Sequence, residues 1–132
     1  MTLEKSGDSP KLVVADCIQI FIRDNIVWVV YDDGAEISLQ MKKEMHTAYV
    51  QITGGKKMPF LFTNLGSFWI SKEAREYARA IEPQQPFLAV AYFAPTLGIK
   101  LMAEFYGKFH KPAIPYKVFG EETEALAWLR TF

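Results

Sequence analysis

Cys17 is the only cysteine in the chain, so no internal disulfide can form. Neither charge is in excess. Fifteen basic residues balance 15 acidic ones and form no basic stripe, so the electrostatic footprint of a nucleic-acid binder is missing. Long apolar runs are missing too. Phe87 to Pro95, one of the longest, falls well short of the roughly 20 residues a membrane-spanning helix needs. The opening MTLEKSGDSP holds no apolar signal-peptide core. Together these absences lead to the expectation of a soluble cytoplasmic protein without a transmembrane segment.

Motifs that encode a reaction are also absent. No G-x-S-x-G, H-E-x-x-H or G-x-G-x-x-G occurs. His46 and His110 have no cysteine or acid nearby at ligand or triad spacing, and both read as solvated. Gly54-Gly55-Lys56-Lys57 follows a helical pattern, where a phosphate loop would precede one, so it reads as a helix stop. Asp32, Asp33 and Glu36 supply too few convergent oxygens for calcium and read as a solvated loop. Cys17 falls in a strand pattern and reads as an inert thiol. The expectation is therefore a protein that is not an enzyme, with no cofactor and no metal.

What is present is core-forming material. Half of the 132 residues are hydrophobic and 14% are aromatic, which excludes disorder as a description of the whole. Residues 1–10 carry Gly7, Ser9 and Pro10 without an apolar face, which predicts a flexible tail. Residues 11–132 predict a single domain. Ile18, Ile20 and Ile22 alternate with Gln19, Phe21 and Arg23, the period of a strand spanning Leu12 to Ile22. Asp24-Asn25 fits a two-residue turn into a second strand, Ile26 to Tyr31, apolar on both faces. Ser38 caps a helix with Met41, Met45, Ala48 and Ile52 on one face, ended by Gly54-Gly55. Strands follow at Met58–Asn64, Phe87–Phe93 and Tyr116–Phe119, separated by helices. The order is ββαβαβαβα, which predicts an α/β fold: a five-stranded mixed, mostly parallel sheet with four helices.

The central unit is Pro59 to Ala80: a buried strand, a loop from Leu65 to Ile70, and an amphipathic helix capped by Ser71. Open α/β sheets place ligands beside such helix N-termini. The candidate binding surface is accordingly Gly66, Ser67, Phe68, Trp69, Ser71 and Lys72, with free backbone N–H groups and Lys72 available to an anion or partner carboxylate. Two readings of Phe68 and Trp69 stand side by side. Either residue tucks under the loop as a staple onto the helix, or it stands out as an aromatic anchor for a partner.

The helix expected to open at Pro95 has a polar stripe only one residue wide: Thr96, Lys100, Glu104 and Lys108. Leu97, Leu101 and Phe105 make one apolar surface, and Gly98, Met102, Tyr106 and Phe109 another. One can pack on the sheet and the other needs cover. Gly98, Ala103 and Gly107 would let a second backbone approach. This predicts a homodimer with Leu97, Met102, Phe105, Tyr106 and Phe109 in its interface.

Four local patterns resemble the STAS domain, in particular small bacterial SpoIIAA-like proteins: IQIFIRDNIVWVVYDDG, GGKKMPFLFTN, LGSFWISKEAREYA and KPAIPYKVFGEETEALAWL. The resemblance covers nearly all of the chain after Lys11. It implies a STAS (SpoIIAA)-like fold and a small cytoplasmic regulatory or protein-interaction module with a protein partner still to be identified. In STAS antagonists an Asp-Ser pair at the start of the second helix carries the phosphate acceptor. Here the pair falls on Ser71 and Lys72, so the acceptor position is a lysine, and the acid expected to end the third strand falls near Thr63. Lipid-binding relatives of the fold imply an alternative: a carrier or sensor of a small apolar ligand.

Overall fold

A computed structural model describes residues 11–110 and 112–132, without the side chains of Tyr106, Phe109 and His110. The tail expected over residues 1–10 lies outside the described residues. The strands are β1 (Leu12–Val14), β2 (Ile18–Arg23), β3 (Ile26–Tyr31), β4 (Ala35–Ile37), β5 (Met58–Asn64), β6 (Phe68–Ile70), β7 (Phe87–Phe93) and β8 (Tyr116–Phe119). The helices are α1 (Leu39–Thr53), α2 (Lys72–Ile81), α3 (Leu97–His110) and α4 (Glu122–Leu129).

The main sheet has six strands in the order β1-β2-β3-β5-β7-β8. β1, β2 and β3 are antiparallel, and β3, β5, β7 and β8 run parallel. The expected five strands become six because the first one folds back on itself. Ala15 and Asp16 take φ of 52° and 58°, and the Cys17 N–H donates to the Val14 carbonyl at 3.1 Å. Alanine gives no warning of a left-handed turn, since its Cβ disfavours that region. Cys17 thus lies in a turn and not in a strand. The second turn falls where expected: Asp24 and Asn25 take φ of 54° and 64°, with Arg23 paired to Ile26.

A second departure is larger. The stretch expected as an open loop contains β6, which pairs in parallel with β4 as a separate two-stranded sheet, Ala35 opposite Phe68 and Ile37 opposite Ile70. Three residues each are too few to show a periodic pattern, so tertiary contact makes these strands.

Alternation divides the core. Ile18, Ile20, Val29, Phe60, Phe62, Val90 and Tyr92 face one side, where Met45, Ala48 and Tyr49 of α1, Ile99 and Ala103 of α3, and Ala35 and Ile37 of β4 cover them. Phe21, Trp28, Leu61, Ala91 and Phe119 face the other side, against Ala125 and Leu129 of α4. Phe21 stacks on Trp28 with centroids 5.9 Å apart, and the Arg23 guanidinium lies 5.0 Å from the Phe21 ring.

The helix ends follow the predicted caps. Ser38 Oγ accepts the Met41 N–H at 3.2 Å, and Gly54 closes α1 at φ 67°. Ser71 Oγ accepts the Ala74 N–H at 3.0 Å. At α3 the cap is Thr96, whose Oγ1 accepts the Ile99 N–H at 3.2 Å, so Pro95 precedes the helix and does not open it.

Candidate ligand-binding cavity

β5 ends in polar residues buried by the sheet. Thr63 Oγ1 donates to the Phe93 carbonyl at 2.8 Å. Asn64, 1% exposed, accepts the Tyr92 phenol O–H at 2.7 Å and donates to the Gly66 carbonyl. Burying the phenol, with Tyr31 and Tyr116 near, pushes its pKa well above the tyrosine range, so it stays a donor.

The loop after β5 is held from the facing turn. Asp33 Oδ1 accepts the Ser67 N–H at 3.0 Å, and Gly34 donates to the Ser67 carbonyl at 2.6 Å. A Cβ on Gly66 would collide with the Asp33 carboxylate, so glycine is required there by close approach. The Ser71 N–H donates to the Ile37 carbonyl at 3.0 Å. The donors at Ser67, Ser71 and Ala74 therefore already have acceptors in this chain, so an anion at the Ser67 N–H would have to displace Asp33. Lys72 is exposed as the first residue of α2.

The two aromatic residues of this segment divide the alternatives between them. Phe68 turns inward and stacks on Tyr31 at 5.3 Å, whereas Trp69 is 60% exposed. Both line a cavity of about 400 Å³ bounded by α1, β6, α2, α3 and the face of β5, β7 and β8. That size falls in the usual range of small-molecule sites, roughly 300–1,000 Å³. Tyr49, Phe62, Phe87, Val90 and Tyr92 line it from α1 and the sheet. Met102, Ala103 and Phe105 of α3 line another side, and Ile114 and Tyr116 a third.

This cavity gives part of the apolar surface of α3 a use within one chain. Met102 and Phe105 line it while remaining 39% and 67% exposed, and Leu97 and Leu101 are 71% and 57% exposed. The Tyr106 and Phe109 side chains, expected at an interface, lie outside the described residues. Gly107 has a use of its own: a Cβ there would come within 2.8 Å of the Tyr116 ring, whose O–H donates to the Ala103 carbonyl at 3.1 Å. Its small size admits β8.

Four polar residues punctuate the wall: Lys42, Arg75, Glu82 and Gln85. Three of them have partners. Arg75 Nη1 donates to the Ile70 carbonyl at 3.4 Å. Glu82 Oε2 accepts the Ala113 N–H at 3.1 Å. Gln85 Oε1 accepts from His46 Nδ1 at 2.7 Å, so His46 is half-buried and bonded where a solvated ring was expected. Lys42 differs. The residue is half-buried on the cavity wall, and burial lowers its pKa from 10.5 to about 8. Among the described residues no carboxylate or carbonyl bonds that ammonium. Sequence reasoning missed it, although a signal was present. Lys42 stands three residues before Met45 and seven before Tyr49, so a cation sits on the helix stripe that faces the core.

Elsewhere, Cys17 is half-buried, and its thiol is pushed up by burial and then by Asp32 and Asp16. Among the described residues no group of three His, Cys, Asp or Glu side chains could hold a metal, and no helix is long and apolar enough to cross a membrane.

No curated protein matches the chain. A solved structure that does match is an uncharacterised protein of the DUF3478 family with a SpoIIAA-like fold from Shewanella loihica PV-4. It is 15% identical, with 98% of each chain covered and a TM-score of 0.58. The fold is therefore SpoIIAA-like, an α/β architecture with four helices and a mostly parallel sheet. Residues 20–132 match the model of a domain of unknown function, DUF7793, and the chain belongs to that family.

Proposed function

We propose that the protein is a non-catalytic module that binds a small, largely apolar molecule in the cavity between α2, α3 and the main sheet. One observation carries this reading: a space of about 400 Å³ walled mostly by aromatic and aliphatic side chains. Most of the wall stands on sheet and helix, which gives it a fixed shape. Trp69 and Phe68 sit on both the cavity wall and the surface segment before α2, so an occupant would be sensed where a partner can touch. That joins the ligand-sensor reading to a regulatory role. Lys72 at the STAS acceptor position argues for control by a ligand and not by phosphorylation there. The single cysteine suits a reducing compartment such as the cytoplasm.

Native mass spectrometry of protein purified from cells, with titration of apolar probes followed by tryptophan emission, tests the proposal. A copurified small molecule, or saturable binding lost in Ala103→Trp, is expected. Absence of both overturns it.

A protein-interaction reading is supported by a separate observation, the exposure of Leu97 and Leu101 on α3. On that reading the chain self-associates through α3. A dimeric mass by light scattering that becomes monomeric in a folded Leu97→Glu, Leu101→Glu variant is the expected result. A monomeric mass for the unmodified protein rejects it.

A further inference from the structure

We propose that the molecule bound in this cavity is an amphipathic anion: an apolar body carrying one carboxylate or similar acid group, with the acid held at Lys42. The inference rests on the ligand-binding reading above and adds the chemistry of the head group.

A cation on the wall of an apolar space is costly unless something compensates it, because low polarity disfavours the charged form. The other polar wall residues are compensated from within the chain. Glu82 takes the Ala113 N–H, Gln85 takes His46, and Arg75 reaches the Ile70 carbonyl. Lys42 has no such partner among the described residues, and it lines the cavity. Its position on the Met45–Tyr49 stripe turns it from solvent toward the core. A lysine needed only for solubility would be better placed on the outer side of α1, beside Lys43 and Glu44, which are exposed. The missing partner is thus an acid that the described residues do not supply.

The geometry also selects against other head groups. A cationic ligand would meet Lys42 and Arg75 with, among the described wall residues, only Glu82 to offset them, and Glu82 is already engaged. A neutral ligand would leave the Lys42 ammonium uncompensated. An acid makes a charge-assisted hydrogen bond beside a largely apolar wall, where such bonds gain strength.

Calorimetric titration with decanoate, decanol and decyltrimethylammonium holds the apolar tail constant and varies the charge. Decanoate should bind about tenfold or more tighter than decanol, with the ammonium weakest. Lys42→Met should bring decanoate down to the affinity of decanol and leave decanol unchanged. Lys42→Arg should retain the preference for the acid, and it guards against a methionine variant that fails to fold. If decanoate and decanol bind equally, and Lys42→Met changes neither, the head-group inference is wrong while the cavity reading stands. If none of the three probes binds, both are overturned.

Discussion

The Tyr92 phenol donates to Asn64 Oδ1 at 2.7 Å, and both residues are buried. Tyr92 lines the cavity, and Asn64 bonds onward to the Gly66 carbonyl, so this pair links the cavity wall to the segment that carries Trp69. Tyr92→Phe removes the donor and strands a buried acceptor. It should cost about 1–3 kcal/mol, with a falling denaturation midpoint and an unchanged slope. A loss below a few tenths would show that Asn64 finds another donor.

Gly66 and Asp33 form a second testable pair. Gly66→Ala places a Cβ against the Asp33 carboxylate and should destabilise by roughly 1–3 kcal/mol. Asp33→Ala loses the bond to the Ser67 N–H but opens that space. The double variant should therefore be more stable than the sum of the two single losses predicts, a coupling that denaturation of all four proteins reads directly. Strict additivity would mean that the loop moves away from Asp33.

Ser71 caps α2 through the Ala74 N–H. Ser71→Ala should lower stability by about 1 kcal/mol. Ligand affinity should hold, because Ser71 is not among the residues lining the cavity. If Ser71→Ala and Ser71→Asp both abolish binding at unchanged stability, the serine has a role beyond capping.

Lys42 makes stability depend on pH. Its ammonium pKa in the folded chain is lowered to about 8, against about 10.4 for a lysine in an unfolded chain. Between those values the unfolded chain binds more protons, so the Lys42 contribution to stability rises with pH across that window. Below about pH 8 both states are charged, and the folded one bears the full burial penalty. Lys42→Met should accordingly melt higher than the unmodified protein at pH 7, and the gap should narrow toward pH 10. Comparing the two proteins cancels the titration of Cys17 and Tyr92. A constant gap would place the ammonium in solvent.

Much of the architecture was legible in the chain because local rules and tertiary packing agree. Alternation at Ile18, Ile20 and Ile22, the β-branched run Ile26 to Tyr31, the caps at Ser38 and Ser71 and the stop at Gly54 all hold. Each is decided by a few neighbours in sequence. The Ala15-Asp16 turn was hidden because alanine rarely takes positive φ, and only the pairing of β1 with β2 compels it. The β4–β6 sheet was hidden because its strands are three residues each and find their hydrogen-bond partners about 30 residues apart. The surface segment Gly66 to Lys72 could be located from its place after a buried strand, but its engaged donors could not, since Asp33 and Ile37 reach it from another part of the chain.

The sequence alone determined which residues form strands and helices and which faces are apolar, because those depend on period and neighbours. Only the tertiary structure decided that Phe68 turns in while Trp69 turns out, and that Met102 and Phe105 line a cavity. It also decided that Lys42 stands in that wall with no acid bonded to it among the described residues. A cavity is the space left between elements whose separation is set by all the contacts at once, and no stretch of sequence encodes it locally.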